Sequence, residues 1–177
     1  VTALFEILME KDTQDSGTFK WGVSTSTSYF PKDNSEFFND CDDSILNWLE
    51  QYNNGADHTE TYLRGFLGRM LFSGEDVFKP VKVLSGGEKV RCMLSKMMMG
   101  GANVLVLDQP TNHLDLESIT AVNKGLASFP GIVLFTSHDH EFISTVANRI
   151  IFIQEDGIKD ITSGYDEYLA ANNLIRE

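Results

Sequence analysis

Two aliphatic runs, VLVLD at 104–108 and IVLFTS at 132–137, constrain this chain more than any other feature. Each is short and branched, and reads as a buried strand with apolar side chains on both faces. Between them LESITAVNKGLASF repeats its apolar residues at helical spacing. Strand, helix and strand in that order specify a parallel pair joined by a crossover and covered by helices. HEFISTVANRI and IFI continue the alternation, so a third parallel strand is expected at IFI. Ligands of such sheets collect at the carboxyl ends of the strands. Asp108 stands at one such end, and Thr136, Ser137 and His138 stand at the other.

Upstream the pattern is mixed. TALFEILM at 2–9 reads as a short helix, DTQDSG as a turn, and FKWGV and SYF as strands. Residues 31–43 are acidic and loop-like. Ser44 is placed to cap a helix through ILNWLEQY, which NNG ends, and TETYLRGFLGRML reads as the next helix. From Gly86, EKVRCMLSKMMM keeps helical spacing until Gly100 and Gly101 stop it. Its methionines read as adaptable core filling. The whole predicts one α/β domain over residues 1–177 with a mostly parallel sheet and a helical insertion near residues 36–100.

Composition narrows the setting. A chain of 177 residues with 42% hydrophobic content can bury a sizeable core. No apolar stretch reaches membrane-spanning length, and Cys41 and Cys92 are too few for a disulfide framework or a zinc site. A cytoplasmic setting with no membrane partner is expected. The net charge of −12 disfavours nonspecific polyanion binding, yet seven of the 14 basic residues fall within 64–96. Those seven are either solvated helix faces or a local phosphate- or RNA-facing patch.

Three groups of residues carry chemistry. LSGGE at 84–88 opens a helix: Ser85 supplies a hydroxyl, Gly86 and Gly87 admit a phosphate closely, and free N–H groups favour an anion. Alone, SGG is also a common loop. Asp108, some 20 residues later at a strand end, suits Mg²⁺ held through water beside a nucleotide, or simply caps the next turn. Asp115 is placed to cap LESITAVN, with Glu117 in its first turn. His138 can hydrogen-bond a γ-phosphate without acting as a base. The spacing of His138 and His140 also fits a metal pair, but no Cys or third His lies nearby in sequence.

LSGGE, VLVLDQPTNHLD and TSH, in this order and spacing, resemble the ATP-binding domain of the ABC superfamily. The TNHLD ending resembles the ABC-F class, soluble proteins with two such domains in one chain. WGVSTSTSYFPKDN, LRGFLGRMLFSGED, HDHEFISTVANRIIFI and GYDEYL extend the likeness over essentially the whole chain, and GYDEYL resembles the second domain of the pair. The resemblance implies ATP and Mg²⁺ bound between two domains facing head to tail, the partner lying in the same longer chain or in a homodimer. Ser85, Gly86, Gly87 and Glu88 would serve the nucleotide on the opposite domain. Asp108 would hold Mg²⁺ through water, Thr2 would supply a Mg²⁺-binding hydroxyl, and His138 would sense the γ-phosphate. Asp115 would couple the two sites. Members of the class act on the ribosome, which makes ribosomal RNA an expected partner for the basic cluster.

The chain departs from the family at three places. The GxxxxGK[ST] loop is absent: Thr2 matches its hydroxyl but Val1 stands in the place of its lysine. The expectation is a chain that starts inside the domain rather than a degenerate loop, and weak ATP binding by these residues alone. Lys32 replaces a Gln that the family often has after this strand. Gln109 replaces a Glu. The two are nearly isosteric, so binding and closure are expected to persist while proton acceptance is lost. General-base assistance is worth roughly 10²–10⁴ in rate. Three other readings share part of the pattern. They are the energising subunit of a transporter, a non-catalytic docking half, and a chromosome ATPase head, which would bring coiled-coil heptads that this chain lacks.

Overall fold

The computed structural model describes residues 1–171 except 56, 113, 155 and 156. At its centre is β2 (Val104–Asp108), paired in parallel with β1 (Thr27–Phe30) on one edge and β3 (Ile132–Thr136) on the other. All five residues of β2 are buried, the condition that selects an unbroken aliphatic run. Strand alternation sorts its side chains. Leu105 and Leu107 enter the main core with Val90, Leu94, Val122 and Leu126. Val104 and Val106 pack on the other face against Phe5 of α1 (Thr2–Leu8). Helices therefore cover both faces of the sheet, as the β-α-β pattern required.

The main core is built by α4 (Gly86–Met99), which lies against β1 and α5 (Leu116–Ala127), and by two shorter helices ahead of it. These are α2 (Ile45–Glu50) and α3 (Glu60–Arg69). Ser44 and Thr59 cap them: each hydroxyl accepts a backbone N–H three residues on, at 3.2 Å. Trp48 of α2 is fully buried, stacks on Phe38 at 4.9 Å between ring centres, and donates its indole N–H to Phe37 O at 2.8 Å. That one side chain fastens the acidic 31–43 segment to the helices. α6 (His140–Val146) follows β3 and buries Phe142 edge-on against Phe135. α7 (Tyr165–Ala171) ends the described chain.

Three sequence expectations are corrected. FKWGV is not a strand; its Trp21 instead donates its indole N–H to Leu8 O at 2.9 Å and packs beside α1. IFI is not a third crossover strand. It is β4 (Ile150–Gln154), antiparallel to β5 (Gly157–Ile161), in a separate two-stranded sheet. Its partner is the next segment of chain, so pairing there closes a very short loop at small entropic cost. Gly157 supports the return with φ +141°, a conformation open to glycine. Finally β3 is not buried: its residues are half-exposed and Ile132 is 60% exposed, because only β2 covers one of its edges.

Two glycines test how tightly this frame is packed. A Cβ on Gly131 would lie 2.3 Å from the backbone oxygen of Asn103, which itself accepts the N–H of Ile132 at 2.9 Å. A Cβ on Gly125 would meet only the flexible end of Met70, at 2.1 Å from Cε. Gly131→Ala should therefore cost about 1–3 kcal/mol in chemical denaturation, because backbone must move. Gly125→Ala should cost less, since a Met methyl can rotate away and helix propensity improves. Equal losses would show that the loop before β3 yields as readily as a side chain.

Candidate functional site

The carboxyl ends of β2 and β3 meet in register at Asp108 and Thr136. The Thr136 hydroxyl donates to Asp108 Oδ1 at 2.9 Å and accepts the backbone N–H of Gln109 at 3.0 Å. Asp108 is 1% exposed, and its second oxygen, Oδ2, has no hydrogen-bond partner. A buried carboxylate oxygen without a donor is costly unless a cation or bound water meets it. Asp108 borders a cleft of about 670 Å³ that Thr2, Gln109, Thr136, Ser137 and His138 also line. Hard oxygen donors at Asp108 and Thr2 fit a Mg²⁺ ion, and the orphaned Oδ2 is where such an ion or its water would be felt.

Gln109 turns away from the strand with φ +51°, a left-handed conformation costing about 1–3 kcal/mol for a residue with a side chain. The turn directs its amide across the end of β3. Nε2 lies 3.5 Å from His138 Nε2, and Oε1 accepts the Asn112 amide at 2.5 Å. Gln109 and His138 are thus brought together at the cleft mouth, where the amide can orient water but cannot take its proton. Thr111 and Ser137 join hydroxyls at 2.9 Å behind them. The clamp by Thr136 and the brace by Asn112 were not anticipated from sequence. The available signal was a polar residue at the end of each strand, and which atoms met depended on register. His140 turns to Tyr165, 3.1 Å from Nδ1 to the phenol oxygen, so it and His138 do not converge. No cluster of three or more metal-ligating residues occurs among the described residues.

Of the remaining departures, one falls at the rim and one outside it. Val1 is 59% exposed and lines the cleft without a charge. Lys32 is exposed beyond β1 and does not border the cleft. Among the described lining residues the one Lys or Arg is Arg149, whose Nε and Nη2 both donate to the carboxylate of Asp160.

The serine–glycine mouth lies apart from this cleft. Ser85 is the N-cap of α4: its hydroxyl accepts Glu88 N–H at 3.3 Å while Glu88 accepts Ser85 N–H at 2.9 Å. Ser85 and Gly86 are exposed, and a Cβ on Gly86 would meet nothing within 4 Å. Gly87 is buried, and a Cβ there would lie 2.3 Å from Ser118 Oγ. Ser118 belongs to the first turn of α5, where Asp115 is the N-cap and accepts Ser118 N–H at 2.7 Å. That hydrogen bond from Ser118 holds the exposed Asp115 carboxyl below its ordinary range. The signature mouth and Asp115 thus share one exposed surface because Gly87 lets the two helix starts touch.

The basic cluster is largely occupied from within. Arg64 pairs with Glu60, Lys79 with Asp76 and Glu88, and Lys82 with Asp42. Lys89 lies over Phe38, and Arg91 donates to Met70 O over Phe72. Lys96 sits between Phe37 and Tyr52, 4.1 and 4.3 Å from their ring centres, and burial pushes its pKa down. Arg69 is the exposed member of the seven without an ion pair among the described residues.

A crossover-linked parallel sheet, a buried aspartate at its carboxyl end and an exposed Ser-Gly helix mouth define an ATP-binding domain of α/β type. The chain belongs to the ABC transporter family, whose model matches residues 2–112. It is 64% identical over 169 residues to the ABC transporter ATP-binding protein YkpA of Bacillus subtilis, covering 96% of this chain and 31% of that protein. It is 34% identical over 176 residues to the energy-dependent translational throttle protein EttA of Escherichia coli K12, an ABC-F protein, covering 94% and 31%. The chain therefore spans about a third of the length of these relatives. The fold is also that of archaeal ribosome recycling factor aABCE1, seen in complex with ribosomal stalk protein aP1. The TM-score is 0.73 at 19% identity, over 96% of this chain and 34% of that one.

The capping box has a pH signature. Burial opposes ionisation of Glu88, but the Ser85 hydrogen bonds and Lys79 outweigh it and hold the carboxyl below its ordinary 4.5. A depressed folded pKa contributes stability present above the unfolded value and lost as pH falls through the folded one. Acid denaturation should therefore steepen below about pH 4.5, and Glu88→Gln should flatten that limb by losing stability at neutral pH while converging with the parent in acid. Thermal melts between pH 3 and 7 measure it, and superimposable curves for the two proteins would remove Glu88 from the account.

Proposed function

We propose that this chain is one ATP-binding domain, the second of a pair, in a soluble cytoplasmic ABC-F protein. On this reading residues 1–177 form a single domain with a helical subdomain near 36–100. It closes on Mg²⁺ and ATP against a sister domain, in the same longer chain or a second copy, and the closure acts on the ribosome. The observation that carries the reading is the orphaned Oδ2 of Asp108, buried at a cleft that Thr2, Gln109 and His138 share. Ser85 and Gly86 support it from a separate exposed surface, as residues that serve a nucleotide held by another domain would have to lie.

The reading assigns each residue a role that its contacts support. Asp108 and the Thr2 hydroxyl would hold Mg²⁺, which would supply positive charge to offset that of the phosphates. Thr136 fixes the other Asp108 oxygen, so the carboxylate presents Oδ2 without rotating. His138 offers a ring nitrogen to the terminal phosphate, and Gln109 orients the attacking water beside it. Because an amide accepts no proton, the water must lose it elsewhere, and turnover slows while binding persists. The Ser85 hydroxyl and the N–H groups of Gly86 and Gly87 face the nucleotide of the sister domain. Asp115, touching the same surface through Gly87 and Ser118, links the two sites. A second reading, a half retained for docking only, is favoured by one observation: the cleft's sole described Lys or Arg is already paired.

The test uses a polypeptide of the relatives' full length carrying this chain. Gln109→Glu should raise kcat for ATP hydrolysis by roughly 10²–10⁴ with little change in Mg·ATP affinity. Asp108→Asn should abolish Mg²⁺-dependent ATP binding yet keep the fold, since its amide oxygen still accepts from Thr136. An unchanged kcat in the Glu variant would end the slowed-hydrolysis reading, and no single-turnover hydrolysis in either would leave docking alone. The 177 residues by themselves should bind ATP no tighter than millimolar in calorimetry, their cleft having no free cation among the described residues; micromolar binding would contradict this.

A further inference from the structure

A second cleft of about 350 Å³ lies at the opposite end of the sheet, beside the amino ends of β2 and β3. Asn103 and Gly131, the residues just before those strands, line it with Gly101, Gly125, Phe129 and Arg69. Three of the ten lining residues are glycines, so part of the wall is bare backbone. Phe129 is half-buried: its ring packs partly on the main core and leaves the rest to the cleft. Arg69 is exposed, and its guanidinium lies 5.0 Å from the centre of the Phe66 ring. No carboxylate lies within ion-pair distance of it among the described residues, unlike exposed Lys79 and Lys82.

Charge sets this end apart from the rest of the molecule. The chain carries 26 acids and a net charge of −12, yet none of the acids falls in residues 89–107 or 118–138. Those two stretches supply most of the cleft lining and also hold Lys124, which stands one turn before Ser128, a lining residue, on the same side of α5. A polyanion repelled elsewhere meets here a lining without carboxylates, with exposed Arg69 in it and exposed Lys124 nearby on α5, neither in an ion pair among the described residues. The shape adds a second requirement. A duplex presents only phosphates to such a cleft, whereas an unpaired nucleotide can lay its base on an aromatic face and its phosphate on a guanidinium.

We propose that this cleft holds one unpaired nucleotide of RNA, with the base against Phe129 between Gly101 and Gly131 and the flanking phosphates on Arg69 and Lys124. The inference rests on the ribosome reading above and names the surface through which RNA is met. It also separates that surface from the ATP cleft by the full length of the sheet, so the two can be changed independently.

The experiment again uses a polypeptide of the relatives' length. A fluorescein-labelled single-stranded RNA 12-mer is titrated by anisotropy at several salt concentrations, beside a duplex of the same sequence, with ATP hydrolysis and ribosome co-sedimentation measured in parallel. Arg69→Glu should weaken single-strand binding about tenfold or more, and Lys124→Glu severalfold. Arg69→Ala should lower the salt slope by about 0.7, the value for one lost phosphate contact on a single strand. Phe129→Leu, which keeps most of the core volume, should erase the preference for single strand over duplex. ATP hydrolysis should stay at the parent rate in all four. Equal affinity of the parent for duplex, no RNA binding by the parent, or an unchanged Arg69→Glu would overturn the proposal. If Arg69→Glu still co-sediments with ribosomes like the parent, the RNA contact is wrong and the ribosome reading survives. If the parent itself fails to co-sediment, the ribosome reading fails.

Discussion

The site depends on one hydroxyl. Thr136 donates to Asp108 and accepts from the backbone of Gln109, so a single side chain ties the ends of two neighbouring strands and the start of the turn that follows. Because Asp108 is almost wholly buried, this bond is formed where water does not compete, and it holds one carboxylate oxygen so that the other is presented bare. The left-handed turn at Gln109 follows from the same constraint. Its N–H is held by Thr136, and the amide is left to point across β3 toward His138. Remove the parallel register of β2 and β3, and His138 ceases to be a neighbour of Asp108 and Gln109.

A similar economy operates at the start of α4. Ser85 and Glu88 satisfy one another's backbone through a capping box, and Lys79 reaches Glu88 from the preceding loop. The next position, Gly87, is small enough for α5 to bring Ser118 and Asp115 against it. One helix mouth therefore serves stability and, on the proposed function, would face a nucleotide at once. These demands do not conflict, because a cap uses the hydroxyl lone pairs and first-turn N–H groups while leaving the outer face of Gly86 open.

Much of this was legible in the sequence where the cause is local. The caps at Ser44 and Asp115, the Gly100 stop and the buried character of β2 all follow from residue type and spacing within a few positions. The strand at β4 misled because an apolar triplet carries no record of its partner, and a hairpin with β5 satisfied it sooner than the parallel sheet. How the basic cluster is partnered was hidden for a related reason. Lys82 finds Asp42, forty positions upstream, and Lys96 finds Phe37 and Tyr52. A count of charges along a window cannot see such pairs, and it is the unpaired remainder, Arg69, that faces outward.

What the sequence determined by itself was the kind of fold and the identity of the chemical groups. Alternating periodicities force a crossover-linked parallel sheet, and Ser85, Asp108, Gln109 and His138 are what they are in any conformation. Tertiary structure decided which of those groups meet, which charges cancel, and which edge of the sheet stays open. Meeting requires register across strands 28 residues apart, cancellation requires loops to fold back on helices, and an open edge requires that a neighbour pair elsewhere. Each is a long-range choice, made by burying the most apolar surface at the smallest cost in chain entropy, and no local pattern encodes it.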